Sequence, residues 1–402
     1  MFDQLYIRPA ALARHRSGPL FEERLAFLKH LADQGYPPKG LRKQARRLLV
    51  IARFLRLASR PRKTVSLTEI KRKTVKRKDP YLYGLAVRWL QFTGRLQQRS
   101  TPLTACAKTI KAFADYMEHE TELAPTTIAT HCWFVTRLLD RLHVKGGNLR
   151  DITPHRIDIA LQKLLEPGGY ARVTVQTWAT ALRAFFRFAE TRGWCRKGLA
   201  ASIQSPRVYS QASVPWGPSW DDVRRLLAMT EDDQPHNIRA RPILMLFVIY
   251  GLRSGEVRRL RLEDFDWEHE VFRVVSSKNA RVRTYPLVRS VGDAILRYLR
   301  EVRPRSPHRE LFLSFHPPFR PVQVSLWKVV GTRLQSLHLS LPHHGPHALR
   351  HACATRLLAA GLSLKEIGDQ LGHMDPRSTR IYAKVDLAAL RQVADFDMGG
   401  VL

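Results

Sequence analysis

The chain has 402 residues, which is enough for two or three domains with their own hydrophobic cores and excludes a single small module. Lysine and arginine number 67 against 35 aspartates and glutamates, so the formal net charge is +32 with histidine neutral. Such an excess attracts polyanions, and nucleic acid or an anionic membrane surface is the expected partner. Hydrophobic content of 44% and aromatic content of 9% exclude a disordered basic tail protein.

Membrane insertion and cysteine chemistry are not expected. No run approaches the roughly 18 apolar residues that span a bilayer, and the opening MFDQLYIRPA lacks the apolar centre of a signal peptide, so we expect a cytoplasmic protein without a membrane partner. The four cysteines lie far apart without a Cys-x-x-Cys pair. This pattern predicts reduced thiols rather than a zinc ribbon or a disulfide frame.

Residues 1–100 are predicted to form a basic helical N-terminal region, a further DNA-binding arm, because they hold 24 lysines and arginines against 6 acidic residues. Apolar residues recur at helical spacing over 41–60, and KRKTVKRK follows at 71–78. A solvated linker is the alternative for that last run alone. The candidate phosphate-binding residues are Arg42, Lys43, Arg46, Arg47, Lys71, Arg72, Lys73, Lys76, Arg77 and Lys78.

Residues 101–206 are predicted to be a helical bundle. Helices are expected from Thr104 to about Glu120, after Pro125, from a Thr153 cap with Pro154 in the first turn, and over a long segment that ends at Gly193. Its large aromatic side chains, Trp178 among them, are expected in the core rather than as base-stacking platforms. The proline-containing segment 207–218 is predicted to be a linker.

Residues 219–402 are predicted to be helical with a small sheet. Ser219 with Asp222 begins a helix, and the apolar run from Pro242 to Tyr250 predicts a buried helix ending at Gly251. Residues 271–275 and 281–287 predict a β-hairpin. The segment HALRHACATRLLAAG predicts a helix ending at Gly361, and SLKE at 363–366 predicts a capping box.

Four segments of this second half place ionisable groups where core or turn residues are expected: YGLRSGEV, SSKNA, HALRH and LGHMDPRSTRIY. In their order and spacing they resemble the tyrosine recombinase or phage integrase family. The resemblance covers 219 to about 390, and 102–205 resembles the family's helical core-binding domain. It implies a mainly α fold with a small β-sheet, in which helical N-terminal and core-binding domains precede a mixed α/β catalytic domain at 219–402. The residues that carry it are Arg253, Glu256, Lys278, His347, Arg350, His373 and Tyr382.

Residue chemistry supports a phosphodiester substrate. The pentacoordinate transition state gathers charge on the non-bridging oxygens, and two guanidiniums, Arg253 and Arg350, are suited to stabilise it. Glu256 follows Arg253 by three residues and can orient it, although a purely structural ion pair is the alternative. His347 and Arg350 are also three residues apart and share a helix face.

The resemblance implies the remaining roles. His347 is the proton-transfer partner, Lys278 protonates the leaving 5′ oxygen unless Arg281 or Arg283 reaches it instead, His373 hydrogen-bonds the phosphate, and Tyr382 is the nucleophile. A metal site is the alternative for the histidine cluster, His343, His344, His347 and His351, but no HExxH motif accompanies it.

The implied reaction is transesterification through a 3′-phosphotyrosine intermediate, which conserves bond energy and needs neither ATP nor a divalent metal, so no cofactor is expected. The implied partners are duplex DNA recombination sites, a homotetramer on synapsed DNA, and accessory proteins that bend DNA or set direction, all at the nucleoid. The tail 386–402 is expected to dock on a neighbouring protomer. A catalytically silent DNA-binding architectural or regulatory protein and a type IB topoisomerase are the alternatives.

Overall fold

The computed structural model describes residues 1–59, 64–75, 79–97, 106–144, 148–208, 215–276, 281–322 and 326–385. In these ranges, helices α1 to α19 span Phe2–Leu5, Pro9–Arg16, Phe21–Asp33, Pro38–Phe54, Leu67–Val75, Tyr81–Phe92, Ala107–His119, Pro125–Arg141, Pro154–Gln162, Arg172–Thr191, Leu199–Ser202, Trp220–Ala228, Pro235–Tyr250, Ser254–Arg259, Arg289–Glu301, Trp327–Ser336, Pro346–Ala359, Leu364–Leu371 and Arg377–Arg380. Strands β1 to β3 span Phe265–Asp266, Val271–Val275 and Val282–Pro286. Short 3₁₀ helices occupy Leu57–Ser59, Leu262–Asp264 and Ile381–Val385. The prediction of a mainly α chain with a small sheet is confirmed.

The chain divides into two compact units. The first contains the described parts of Met1–Lys63, Lys73–Thr93 and Gln211–Leu402, and the second contains those of Thr64–Arg72 and Gly94–Ser210. Most of the N-terminal segment predicted as a separate region therefore shares a unit with the residues from 219 onward. In that segment the amphipathic helix α4 packs its apolar face against α3 and α6, with Leu48 and Trp89 fully buried.

The second unit is built on four longer helices, α7 to α10, around one aromatic core that includes Phe113, Trp178 and Phe185. The Thr153 hydroxyl accepts the Arg156 backbone N–H and caps α9, as predicted. Helix α10 ends at Thr191, and Gly193 takes the predicted left-handed conformation with φ 67°. The expected helix start at Thr104 lies outside the described residues.

In the first unit, the residues from 219 onward surround the buried helix α13. The prediction that this helix begins at Pro242 is wrong: it begins at Pro235, where a proline occupies the first turn, and Pro242 lies in its interior. Pro242 removes one backbone hydrogen bond from the helix interior, and the packing of α13 on nearly every side offsets this cost. Two strands were expected, but the antiparallel sheet has three, in the order β1-β2-β3, with Phe272 opposite Tyr285.

Several local predictions in this unit are confirmed. Ser219 with Asp222 and Ser363 with Glu366 form capping boxes at the starts of α12 and α18. Gly251 and Gly361 have the positive φ expected after α13 and α17.

The four cysteines, which are divided between the two units, are free thiols. Within the described ranges, no helix is long and apolar enough to cross a membrane, and no cluster of three metal-binding side chains is present.

Candidate active site

The end of α13 positions Arg253. Gly251 takes a left-handed conformation with φ 61°, which turns the chain so that Arg253 precedes α14 as its N-cap. A Cβ at Gly251 would collide with the Leu371 side chain, so glycine is required for close packing as well as for the turn. Glu256 accepts the Arg253 backbone N–H at 2.7 Å and its guanidinium at 3.2 Å. The predicted pair is therefore formed.

A second guanidinium shares the same carboxylate. Arg283, on β3, donates to Glu256 Oε1 at 2.8 Å and to the Gln370 carbonyl oxygen at 3.2 Å. Arg253 in turn donates to the Gly372 carbonyl oxygen at 3.0 Å. Glu256 is 1% exposed, so it is a buried carboxylate held between two arginines.

Arg350 is the most buried of the three arginines in the cluster. It is 2% exposed on α17 and donates to the carbonyl oxygens of Gly251 and Leu371, the latter at 2.8 Å. Burial, and then the Arg253 charge, lowers its pKa to about 10, which leaves the guanidinium protonated at neutral pH. Gly251 follows the end of α13, and Leu371 is the last residue of α18. Arg350 therefore joins the two segments that carry Arg253 and His373.

The Tyr382 hydroxyl is buried beside His351. Tyr382 is 2% exposed, and burial raises its pKa to about 12, although the Arg350 charge opposes this. Its hydroxyl lies 3.0 Å from His351 Nδ1, and the His351 ring contacts the His347 ring with centroids 4.4 Å apart. Burial and the charges of His347 and Arg350 lower the pKa of His351 to about 4, so it is neutral at pH 7, and in the tautomer with its proton on Nε2 it accepts the phenolic hydrogen bond at Nδ1.

His373 follows the end of α18. Gly372 ends that helix in the left-handed conformation, φ 66°, and a Cβ there would collide with the Arg283 guanidinium. Gly372 thus changes the direction of the chain immediately before His373, which lies within the field of Arg350 and Arg253. His373 Nδ1 lies 2.8 Å from Thr379 Oγ1. Burial, followed by the Arg350 and Arg253 charges, lowers its pKa to about 4.

A cavity of about 270 Å³ opens beside these groups, lined by residues that include Arg281, Arg283, Asp369 and His373. His347 reaches the surface, yet partial desolvation and the charges of Arg350 and Arg253 lower its pKa. Six predicted residues thus converge here: Arg253, Glu256, His347, Arg350, His373 and Tyr382. Lys278 lies outside the described residues.

Two site residues were not assigned a role from the sequence. His351 was noted as a member of a histidine cluster, and its position four residues after His347 on one helix face was the available signal. Arg283 was named as a substitute for Lys278, whereas in the structure it binds Glu256. The available signal was its position two residues after Arg281 in the predicted strand 281–287, because alternate residues of a strand share one sheet face.

The predicted phosphate-binding residues fall into three groups. Arg42, Lys43 and Arg46 are exposed on α4, and Lys71 and Arg72 are exposed on α5. Arg47 is buried and donates to both carboxylate oxygens of Asp79, at 2.7 and 2.9 Å, so its charge is already neutralised and it does not belong with the phosphate-binding set. Lys73 donates to the Phe54 carbonyl oxygen. Lys76, Arg77 and Lys78 lie outside the described residues.

Comparison with known proteins places this site in a class. The phage integrase family model matches residues 219–388, and the phage integrase N-terminal SAM-like domain model matches 110–193. XerA, a tyrosine recombinase of Thermococcus kodakarensis, is 30% identical over 292 residues, which are 71% of this chain and 94% of that protein. The chain therefore belongs to the tyrosine recombinases.

More particularly, the chain belongs to the phage integrase family. The integrase/recombinase y4rA of Sinorhizobium fredii is 39% identical over 217 residues, and the chain spans about half of that relative, 53% of its length. The structure of the recombinase XerH in a post-cleavage complex with its palindromic difH substrate covers 87% of this chain and 95% of XerH, with a TM-score of 0.56 at 18% identity. This last similarity establishes the fold.

Proposed function

We propose that this recombinase cuts and rejoins duplex DNA at specific sites through a covalent link to Tyr382, in the integration, excision or transposition of a mobile element. The observation that carries the proposal is one cluster in which the buried Tyr382 hydroxyl contacts His351 and feels the Arg350 charge, while Arg350 acts in turn on His347 and His373. The XerA relative is named a tyrosine recombinase, and integrases of the Tn1549 transposon in complex with DNA share the fold.

Arg253 and Arg350 are the proposed phosphate clamp. Arg350 is fixed by two backbone carbonyls, and Arg253 is fixed by Glu256, so neither guanidinium needs to reorganise when charge develops on the phosphate. Glu256 neutralises part of the cluster in the free protein, and the arginines still exceed it in charge. A phosphodiester supplies the missing negative charge.

Tyr382 is the proposed nucleophile and is held in a resting state in the free protein. With its pKa raised to about 12, the phenol stays protonated, and neutral His351 accepts its hydrogen bond. In the proposed reaction the Tyr382 oxygen bonds to phosphorus, its proton passes to an imidazole, and the bond to the 5′ oxygen breaks. Lys278 is the proposed donor of the proton that the 5′ oxygen takes up.

His347 and His351 are assigned different parts of this proton transfer. His351 positions the phenol, because it is the imidazole within 3.0 Å of the hydroxyl. His347 contacts the His351 ring and reaches solvent, so it is the partner that an entering phosphate can charge. Replacing His347 with Phe should therefore change the pH profile of cleavage, whereas replacing His351 with Phe should lower the rate at every pH.

The assembly on DNA is proposed from the resemblance and from charge. The expected domains, 1–100, 101–206 and 219–402, hold a duplex half-site, with exposed Arg42, Lys43 and Arg46 on the phosphate backbone. Four protomers synapse two sites, and the tail 386–402, outside the described residues, docks on a neighbouring protomer. Deleting the tail should then reduce assembly and leave half-site binding intact.

The covalent intermediate provides the test. The protein is incubated with a pool of nicked duplexes that contain a random-sequence window, and adducts are separated by denaturing electrophoresis. The wild type should form a covalent adduct and Tyr382→Phe should not. No adduct from the wild type would favour a silent DNA-binding protein. Relaxation of supercoiled plasmid without a recombination site would favour a topoisomerase.

A further inference from the structure

A groove in the second unit is unrelated to the cluster around Tyr382. It has a volume of about 870 Å³ and lies among α8, α9, α10 and the segment before α10. This volume is within the range of ligand-binding pockets. Its most prominent lining residues are three aromatic side chains, Trp133, Tyr170 and Trp178.

Trp178 forms the buried base of the groove, and Trp133 and Tyr170 lie on either side of it. Trp178 is 1% exposed, while Trp133 and Tyr170 are 46% and 41% exposed. Trp133 meets Trp178 edge-on with centroids 5.8 Å apart, and Tyr170 is tilted against it at 6.0 Å. Two large aromatic faces are therefore left in contact with solvent above a buried third, an arrangement that favours a planar ligand.

The groove is also positively charged. Arg137 lies over the Trp133 ring at 5.6 Å, Arg141 lies over the Trp178 ring at 5.6 Å, and Lys163 is exposed on the same lining. Arg156 also lines it but is held by two backbone carbonyls. Asp140 is the carboxylate on the lining. The charge balance excludes a cationic ligand and favours an anion.

One buried donor is unsatisfied. The indole Nε1–H of Trp178 has no hydrogen-bond partner among the described residues, although the side chain is fully buried. A buried N–H without a partner costs roughly 1–3 kcal/mol. An acceptor that reached this N–H in the plane of the indole would recover that energy.

We propose that this groove binds an unpaired nucleotide of a DNA strand. The base stacks on Trp133 and Tyr170, and the adjoining phosphate pairs with Arg137, Arg141 or Lys163. A paired base cannot do this, because both of its faces are already stacked in the duplex. The inference does not rest on the cleavage chemistry, and the Tyr382→Phe adduct assay tests that chemistry separately.

The test compares two labelled single strands of equal length, oligo(dT) and an abasic oligonucleotide, by fluorescence anisotropy on the full chain. Both carry the same backbone charge and bind the basic N-terminal residues equally, so their difference isolates base stacking. The wild type should bind oligo(dT) more tightly than the abasic strand. Stacking on an aromatic ring contributes about 1–3 kcal/mol per base, so the Trp133→Leu variant should lose about 5- to 150-fold in oligo(dT) affinity and keep its affinity for the abasic strand.

Trp216→Leu is the matched control, because Trp216 is 54% exposed and belongs to the first unit. It should leave both affinities unchanged. A second variant, Lys163→Gln, should weaken both strands and reduce the salt dependence of binding by about one charge. Circular dichroism confirms that each variant is folded.

Two outcomes would overturn the proposal. One is equal binding of oligo(dT) and the abasic strand by the wild type, or an unchanged oligo(dT) affinity in a folded Trp133→Leu variant. The other concerns a peptide of residues 386–402, whose sequence includes an aromatic residue between two aspartates, Asp395-Phe396-Asp397. If that peptide binds in a Trp133-dependent way and oligo(dT) does not, the groove serves a protein segment instead.

Discussion

The carboxylate of Glu256 is the structural centre of the site, and its neutralisation gives the sharpest prediction about stability. It accepts the Arg253 backbone N–H, the Arg253 guanidinium at 3.2 Å and the Arg283 guanidinium at 2.8 Å. Glu256→Gln keeps the shape but removes the charge and directs an amide N–H₂ toward one guanidinium. Breaking a buried pair costs about 3–5 kcal/mol, and because the Arg253 side chain is 33% exposed we expect about 3 kcal/mol.

Calorimetry measures the effect. For a domain of this size, 1 kcal/mol corresponds to roughly 2–4 °C in Tm, so Glu256→Gln should lower Tm by about 6–12 °C. The matched control is Glu263→Gln, since Glu263 also lies between two arginines, Arg261 at 2.7 Å and Arg309 at 3.3 Å. Its side chain is 44% exposed, so the control should cost less than about 1 kcal/mol. Equal losses in the two variants would refute the reasoning that burial determines the cost.

Three further outcomes are expected. Arg350→Lys should reduce adduct formation by about 10²–10³-fold, because an ammonium cannot keep both backbone contacts and the phosphate; a smaller loss in a single-turnover assay would count against the clamp. The pKa of His373 is about 4 in the folded chain against 6.5 in the unfolded chain, so between pH 6.5 and 4 the unfolded chain binds a proton that the folded chain does not. This protonation lowers the stability as pH falls, and His373→Asn should flatten the decline of Tm in that window. Replacing the exposed Arg42, Lys43 and Arg46 together by Gln should reduce the slope of log affinity against log salt concentration by up to about 3, as measured by filter binding. Arg47→Gln should leave that slope unchanged.

Much of the fold was predictable because its local signals are strong. Thr153, Ser219 and Ser363 each cap a helix through a side-chain oxygen, and that interaction depends on residues only three positions apart. Glycine after a helix is similarly local, as at Gly251. Where two local signals compete, the prediction failed: Pro235 and Pro242 both suit a first turn, and only the burial around α13 decides between them.

The site was predictable in its composition but not in its contacts. The spacing between Arg253 and Glu256 fixed one ion pair, because it lies within a single turn. The contact of Arg283 with Glu256, 27 residues away, depends on how β3 packs against α14, and no local pattern contains that information. The same holds for Arg47, whose partner Asp79 is 32 residues away and removes it from the proposed phosphate contacts.

The identity of the nucleophile is the most direct test of the account. The covalent adduct is formed on the nicked duplex pool, digested with nuclease and trypsin, and analysed by mass spectrometry. Trypsin cleaves after Arg380 and Lys384, so the account predicts the nucleotide mass on the peptide Ile381–Lys384, which contains Tyr382. A nucleotide mass on any other peptide, such as one containing Tyr285, would contradict it.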